Sequence, residues 1–203
     1  MNAPTRSTQA KAQVIFLNGA SSAGKTSIAK VLQHTLDEPA LHLTFDSFIG
    51  MLPEHGVFDQ ARETETFFRM LPGFHRAMPA IASCGLLLIV DHVVQERAWL
   101  RECVEALAEY RVFFVGVQCP LAELERREQA RGDRMVGWAN YQFTRVHQYA
   151  RYDIEVDSFR ASAQACAQQI QTAWQTTAAP QAFQWLLRQQ RQDLGEQPPP
   201  MAG

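Results

Sequence analysis

Two hydrophobic rhythms run along the chain. Val14-Ile15-Phe16-Leu17-Asn18 is an unbroken β-rich run of strand length, whereas Ile28, Val31, Leu32, Thr35 and Leu36 recur at helical spacing from Lys25 to about Leu36. Asp37-Glu38-Pro39 stops that helix, and Leu41 to Phe45 follows as a second strand ending at Asp46-Ser47. Leu86-Leu87-Leu88-Ile89-Val90-Asp91 is apolar at every position before its terminal acid, as expected of a parallel strand buried on both faces. A helix from about Gln95 to Tyr110, with Trp99, Leu100, Val104, Leu107 and Ala108 at helical spacing, reads as a packing element. Arg111 to Cys119 is a fourth strand, and Pro120 opens a charged helix that Arg131-Gly132-Asp133-Arg134 ends. The pattern then predicts a helix from Val136 to about Arg151, an edge strand Tyr152–Asp157 with alternating acids, and a helix from about Arg160 to Gln175.

Strands alternating with helices define an α/β fold with a parallel sheet. Its single domain is expected over 12–194, between disordered tails at 1–11 and 195–203, the latter holding three consecutive prolines. Segment 48–83 is the least regular, with Pro53, Gly56, Pro72, Gly73 and Pro79 predicted to cut it into short pieces. Its apolar residues, among them Phe48, Met51, Leu52, Phe67, Phe68 and Phe74, fit either a pocket for a partly apolar small molecule or the core beneath short helices. Residues 181–194, carrying Phe183, Trp185, Leu186 and Leu187, predict an added helix that docks on the domain or on a second subunit.

Composition narrows the partners. A formal charge of -2 and the absence of a basic stripe with interleaved aromatics argue against nucleic acid. The longest uncharged apolar run, Cys84 to Val90, is too short to span a bilayer, and Met1 to Lys11 has no apolar core of a signal peptide, so a cytoplasmic protein without membrane contact is expected. Cys84, Cys103, Cys119 and Cys166 are scattered singly, as are the six histidines. All four cysteines therefore read as small buried apolar residues, and a zinc site is not expected.

The chemistry starts between the first strand and the first helix. Gly19-Ala20-Ser21-Ser22-Ala23-Gly24-Lys25-Thr26 fits G-x-x-x-x-G-K-[ST], the phosphate-binding loop. Its glycines let the backbone fold round a phosphate with successive N–H groups inward, and the following helix adds its positive end. Lys25 then reaches the β- and γ-phosphates of ATP, the Thr26 hydroxyl is placed to ligate Mg2+, and Ser27 completes the first helical turn around the nucleotide. Asp46 ends a strand at the same sheet edge. It suits a base that takes a proton from an acceptor hydroxyl, a helix cap, or an indirect magnesium role. Asp91 suits either the Walker B carboxylate beside the metal or a cap for the next helix. Glu123, Glu125 and Arg126 read as a solvated helix face. Arg127, Arg131 and Arg134 flank a Gly-Asp break of the kind a closing lid needs, spanning 121–137.

These elements in this order resemble P-loop kinases of the shikimate and adenylate kinase kind. Leu17 to Thr26, Asp46-Ser47, Arg127 to Arg134 and Tyr152-Asp153-Ile154-Glu155-Val156-Asp157 resemble more narrowly the chloramphenicol phosphotransferase family. The resemblance implies a five-stranded parallel sheet of order 2-3-1-4-5 and ATP-dependent phosphorylation of a hydroxyl on a small antibiotic such as chloramphenicol. It implies Asp46 as catalytic base. The chain departs from the family pattern in segment 48–83 and at His92, where the family carries a second acid.

Overall fold

A computed structural model describes residues 13–53, 60–131 and 137–195; the tails at 1–11 and 196–203 and most of the Gly-Asp break fall outside them. Five parallel strands form one sheet, as the alternating pattern predicts, in the order β2-β3-β1-β4-β5 that the resemblance implies. They are β1 (Gln13–Asn18), β2 (Ala40–Thr44), β3 (Leu87–His92), β4 (Arg111–Gln118) and β5 (Ile154–Asp157). The continuously apolar runs occupy the three central places. Every residue of β3 is buried, while β2 and β5, which alternate, lie at the edges.

Because side chains alternate along a strand, each central strand feeds two cores. Val14, Phe16, Leu88, Val90, Val112 and Phe114 face one layer, formed by α3 (Gln60–Ala82), α4 (Arg97–Ala106) and α8 (Ala182–Asp193). Ile15, Leu17, Leu87, Ile89, Phe113 and Val115 face the other, formed by α1 (Lys25–Thr35) and α7 (Ala163–Thr176). The short helices α2 (Phe45–Ile49) and α6 (Trp138–Phe143), with α5 (Leu121–Arg131), stand at the carboxyl edge of the sheet.

Three local expectations are corrected. Segment 60–82 is not cut into pieces, since α3 runs 23 residues through Pro72 and Pro79. Each proline removes one backbone hydrogen bond, a penalty of about 3 kcal/mol in a helix interior, but Leu71, Phe74, His75, Met78 and Ala82 form a buried stripe that offsets it. The helix expected over Val136–Arg151 stops at Phe143. Beyond it Gln148 bonds Arg145 and Ala150 bonds His147 three residues back, while the Val146 carbonyl is taken by Asn18 Nδ2 at 2.8 Å. Cys84 is exposed, and only Cys103, Cys119 and Cys166 are buried.

The C-terminal helix packs on its own sheet. Asp153 Oδ1 accepts from the amides of Gln181 and Ala182 at the start of α8, while its Oδ2 accepts from Phe114 N–H of β4. Phe183 and Leu186 are thereby buried in the core of the same chain. No helix among the described residues is long and apolar enough to cross a membrane.

Gly116 of β4 runs directly beneath Tyr152, where an added Cβ would lie 2.7 Å from the ring. Gly116→Ala should therefore lower stability by about 1–3 kcal/mol, read as a lower urea midpoint at unchanged slope. A Cβ at Gly73 would meet nothing within 4 Å. Gly73→Ala should raise stability by about 0.5–1 kcal/mol, read as a higher midpoint, because the position is helical and unobstructed.

Candidate active site

Strand register assembles the site. Thr44 pairs with Asp91, Asp91 with Leu17, and Leu17 with Val115, so one transverse row of the sheet sets where each strand ends. Just past that row β1 turns into the glycine loop and β2 into α2, which carries Asp46. Both leave from the edge where parallel α/β sheets bind ligands.

The loop needs unusual backbone. Ser22 and Gly24 have φ of 63° and 87°, and such left-handed residues turn successive amides inward into an anion-binding nest. For Ser22 this conformation costs about 1–3 kcal/mol, a strain that collects at ligand-binding turns. Its hydroxyl is buried with no hydrogen-bond partner in the protein, as expected of a donor left for a bound group. At Gly19 a Cβ would come 2.6 Å from the Val117 carbonyl, so only glycine lets the loop lie this close to β4. Lys25, 6% exposed, donates to the Ala20 carbonyl at 3.0 Å and stands 3.7 Å from Asp91 Oδ1. Thr26 Oγ1 donates to Asp91 Oδ2 at 2.6 Å.

Asp91 faces opposing influences. Burial raises its pKa, but Lys25, then the His42 and Thr26 side chains, outweigh this and hold it below the ordinary carboxylate value. His42 Nε2 lies 3.7 Å away, beyond hydrogen-bond range, so its effect is that of a nearby dipole or charge. An ionised carboxylate beside a hydroxyl, below a lysine and a row of amides, is the donor set suited to Mg2+ with a nucleotide phosphate. The residues present fit that group.

The cap alternatives fall to other residues. The N-cap of α2 is Thr44, whose Oγ1 accepts from Asp46 N–H at 3.3 Å, and that of α4 is Glu96. Asp46 is the second residue of α2 and exposed at the ligand edge. Arg127 reaches the loop, with Nη1 3.4 Å from both the Ser22 carbonyl and Ser158 Oγ, and Nη2 2.9 Å from the Ser158 carbonyl. Glu123 does not sit on a purely solvated face. It bonds Arg126 and Arg127, which bring its pKa down to about 2, and so aims Arg127 at the loop. Arg131 is exposed at the end of α5, and Arg134 lies outside the described residues.

Further polar side chains hold the site through partners that sequence spacing does not name. Asn18, fully buried, accepts from Val94 N–H at 2.9 Å and donates to Val146 O and Tyr152 Oη. The Tyr152 hydroxyl, already an acceptor, then donates to His147 Nδ1 at 2.6 Å, consistent with burial lowering the His147 pKa. Gln142 Oε1 accepts from Ser21 N–H of the loop at 2.7 Å, across 121 residues. Glu128, 1% exposed, accepts from Gly137 N–H at 2.8 Å and Ala139 N–H at 3.0 Å and so fixes the start of α6, the helix that presents Gln142.

Known proteins resemble the chain in sequence and in fold. A family model described as "Chloramphenicol phosphotransferase-like protein" matches residues 12–175. A Mycobacterium tuberculosis protein named "Putative O-phosphotransferase" is 32% identical over 193 residues, covering 84% of this chain and 86% of its own. Among solved structures, the APS kinase of Mycobacterium tuberculosis in complex with AMPPNP and APS superposes with a TM-score of 0.61 at 18% identity, covering 82% of this chain and 99% of that one. Shikimate kinase from Acinetobacter baumannii in complex with shikimate does so with a TM-score of 0.59 at 17% identity, covering 80% and 93%. At these identities the structural likeness establishes the fold.

Glu128→Ala takes the acceptor from the buried Ala139 amide and from the exposed Gly137 amide and should lower stability by about 1.5–3 kcal/mol, at roughly 1.5 per charge-assisted bond. Glu128→Gln keeps one acceptor oxygen and should lose about half as much in the same urea titration. Equal losses would assign the effect to the charge instead of the two bonds.

Proposed function

The chain belongs to the chloramphenicol phosphotransferase-like family, phosphotransferases of P-loop kinase type, and on that premise we propose that it moves the γ-phosphate of Mg-ATP to a hydroxyl of a small molecule. Chloramphenicol, or an antibiotic of similar chemistry, is the first acceptor to test. The observation that carries this reading is the convergence of Lys25, Thr26 and Asp91 beneath the strained loop, with Asp46 on the same sheet edge.

Each residue then has a role. The amides from Gly19 to Ser27, together with Lys25, hold the phosphates, and Arg127 borders the nucleotide at Gly24, where its Nη1 would stand 3.7 Å from an added Cβ. Thr26 and Asp91 would hold Mg2+, which when bound would neutralise charge on the phosphates. Asp46 takes the acceptor's hydroxyl proton while the acceptor oxygen forms a bond to the γ-phosphorus. The bond from that phosphorus to the β,γ-bridging oxygen breaks, and ADP leaves. Arg131, with Arg134, neutralises the transferring group and helps to exclude water.

The acceptor's chemistry follows from segment 48–83. Phe45 and Phe74 are buried in the core, and the half-buried Phe48 and Phe67 pack edge-on against them. Met51 and Leu52, shortly after Asp46 in the chain, are exposed, as is Phe68 of α3, which favours an acceptor with an apolar body. That description covers chloramphenicol and other acceptors, so a kinase for a different antibiotic, a sugar nucleotide or a metabolite is the second reading. A non-catalytic nucleotide switch would leave Asp46 without a role.

The test is ATP-dependent mass gain across a panel of hydroxyl-bearing antibiotics and metabolites that includes chloramphenicol. A phosphate-sized gain on one member is expected. Asp46→Asn should lower turnover by about 10²–10⁴-fold while nucleotide affinity stays near native, and Lys25→Ala should lose nucleotide affinity as well. Full turnover in Asp46→Asn would remove the proposed base. No gain on any member, with Mg-ATP binding intact, would favour the switch.

A further inference from the structure

The fold collects three ligating side chains that the sequence scatters. His75 of α3, His92 of β3 and Cys103 of α4 bring one donor atom each within 4.8 Å of the others, and they are 2%, 4% and 0% exposed. The two histidines approach through Nε2, 3.1 Å apart. His75 Nδ1 meets Glu102 Oε2 at 2.6 Å. An ionised carboxylate only accepts, so the His75 proton sits on Nδ1 and the Nε2 lone pair points into the cluster. This carboxylate–histidine arrangement is the one that orients and strengthens imidazole ligands of metals.

The cluster is separate from the phosphate site. Asp91 and His92 are neighbours on β3, and strand alternation sends them to opposite faces of the sheet. Asp91 meets Thr26 and Lys25 of α1 on one side. His92 meets Phe16, Phe45, Phe74 and His75 on the other. Donor types differ in the same sense: hydroxyl and carboxylate oxygens suit Mg2+, whereas imidazole and thiol suit a softer ion.

We propose that His75 Nε2, His92 Nε2 and Cys103 Sγ supply three of the four donors of a buried Zn2+ site. Zinc–nitrogen bonds of about 2.0–2.1 Å and a zinc–sulfur bond of about 2.3 Å place tetrahedral donors roughly 3.3–3.6 Å apart. The histidines therefore part by only a few tenths of an ångström once the proton between them leaves. Charge balances as well, because the dication faces one Cys103 thiolate and the Glu102 carboxylate. The ion ties α3 and α4 to β3, immediately beside the strand residue that serves the phosphate site.

The full chain, stripped with chelator, is titrated with Zn2+ against a chromophoric chelator, and its metal content is measured after dialysis. One equivalent is expected, with a melting temperature raised by about 5–10 °C at hundredfold excess over the dissociation constant. Co2+ in the unaltered protein should give a thiolate-to-cobalt charge-transfer band, a readout that needs no variant. Cys103→Ala should lose the band and the bound zinc, Cys84→Ser should keep both, and Thr26→Ala should leave zinc content unchanged. Absence of the cobalt band, zinc content below a tenth of an equivalent, Cu+ binding without Zn2+, or zinc lost in Thr26→Ala and kept in Cys103→Ala would each overturn the assignment.

Discussion

The in-register parallel pairing of β1 with β3 is the constraint on which the rest depends. It sets Leu17 opposite Asp91, so the first turn of the helix after the glycine loop arrives above a carboxylate. The 2.6 Å bond from Thr26 and the nearby Lys25 ammonium follow from that alignment. A slip of one residue would send Asp91 to the opposite face, because side chains alternate across a strand. Both central strands are apolar on both faces, so such a slip is opposed by the packing of two cores at once.

Around that pairing, polar groups that burial forces into partnership hold the loop in shape. Asn18 joins the ends of β1 and β3 to the segment before β5, and Tyr152 extends the contact to His147. Glu128 fixes α6, α6 presents Gln142, and Gln142 takes a loop amide. Glu123 aims Arg127 at the same loop from the other side. A fully satisfied buried network of this kind rigidifies what it surrounds, which a phosphate cradle with a left-handed Ser22 requires.

The two faces of the sheet divide the chemistry. Toward α1 stand the oxygen donors Thr26 and Asp91 with Lys25 and, 3.7 Å from Asp91, the His42 imidazole; toward α3 and α4 stand two imidazoles and a thiol amid phenylalanines. Long α3 makes the second arrangement possible. Its stripe of Leu71, Phe74, His75, Met78 and Ala82 stays in register through two prolines, so His75 reaches the sheet beneath helix α4.

Much of the architecture was legible in the chain because each signal is local. Apolar runs mark the strands, 3.6-residue spacing marks the helices, and the glycine loop with Lys25 and Thr26 marks the sheet edge where Asp46 and Asp91 also end. Tyr152 to Asp157 marked the edge strand, although Asp153 turned out to cap α8. What only the tertiary structure decided are relations between distant residues. Whether Glu123 faces water or Arg127, which buried oxygen meets the Ser21 amide, and whether prolines break α3 all depend on neighbours that spacing does not name. The histidines and cysteines make the point most plainly: sequence intervals of 17 and 11 residues match no ligand pattern, yet crossing from α3 through β3 to α4 brings His75, His92 and Cys103 together. Periodicity determines which face a side chain occupies, and the packing of those faces determines whom it meets.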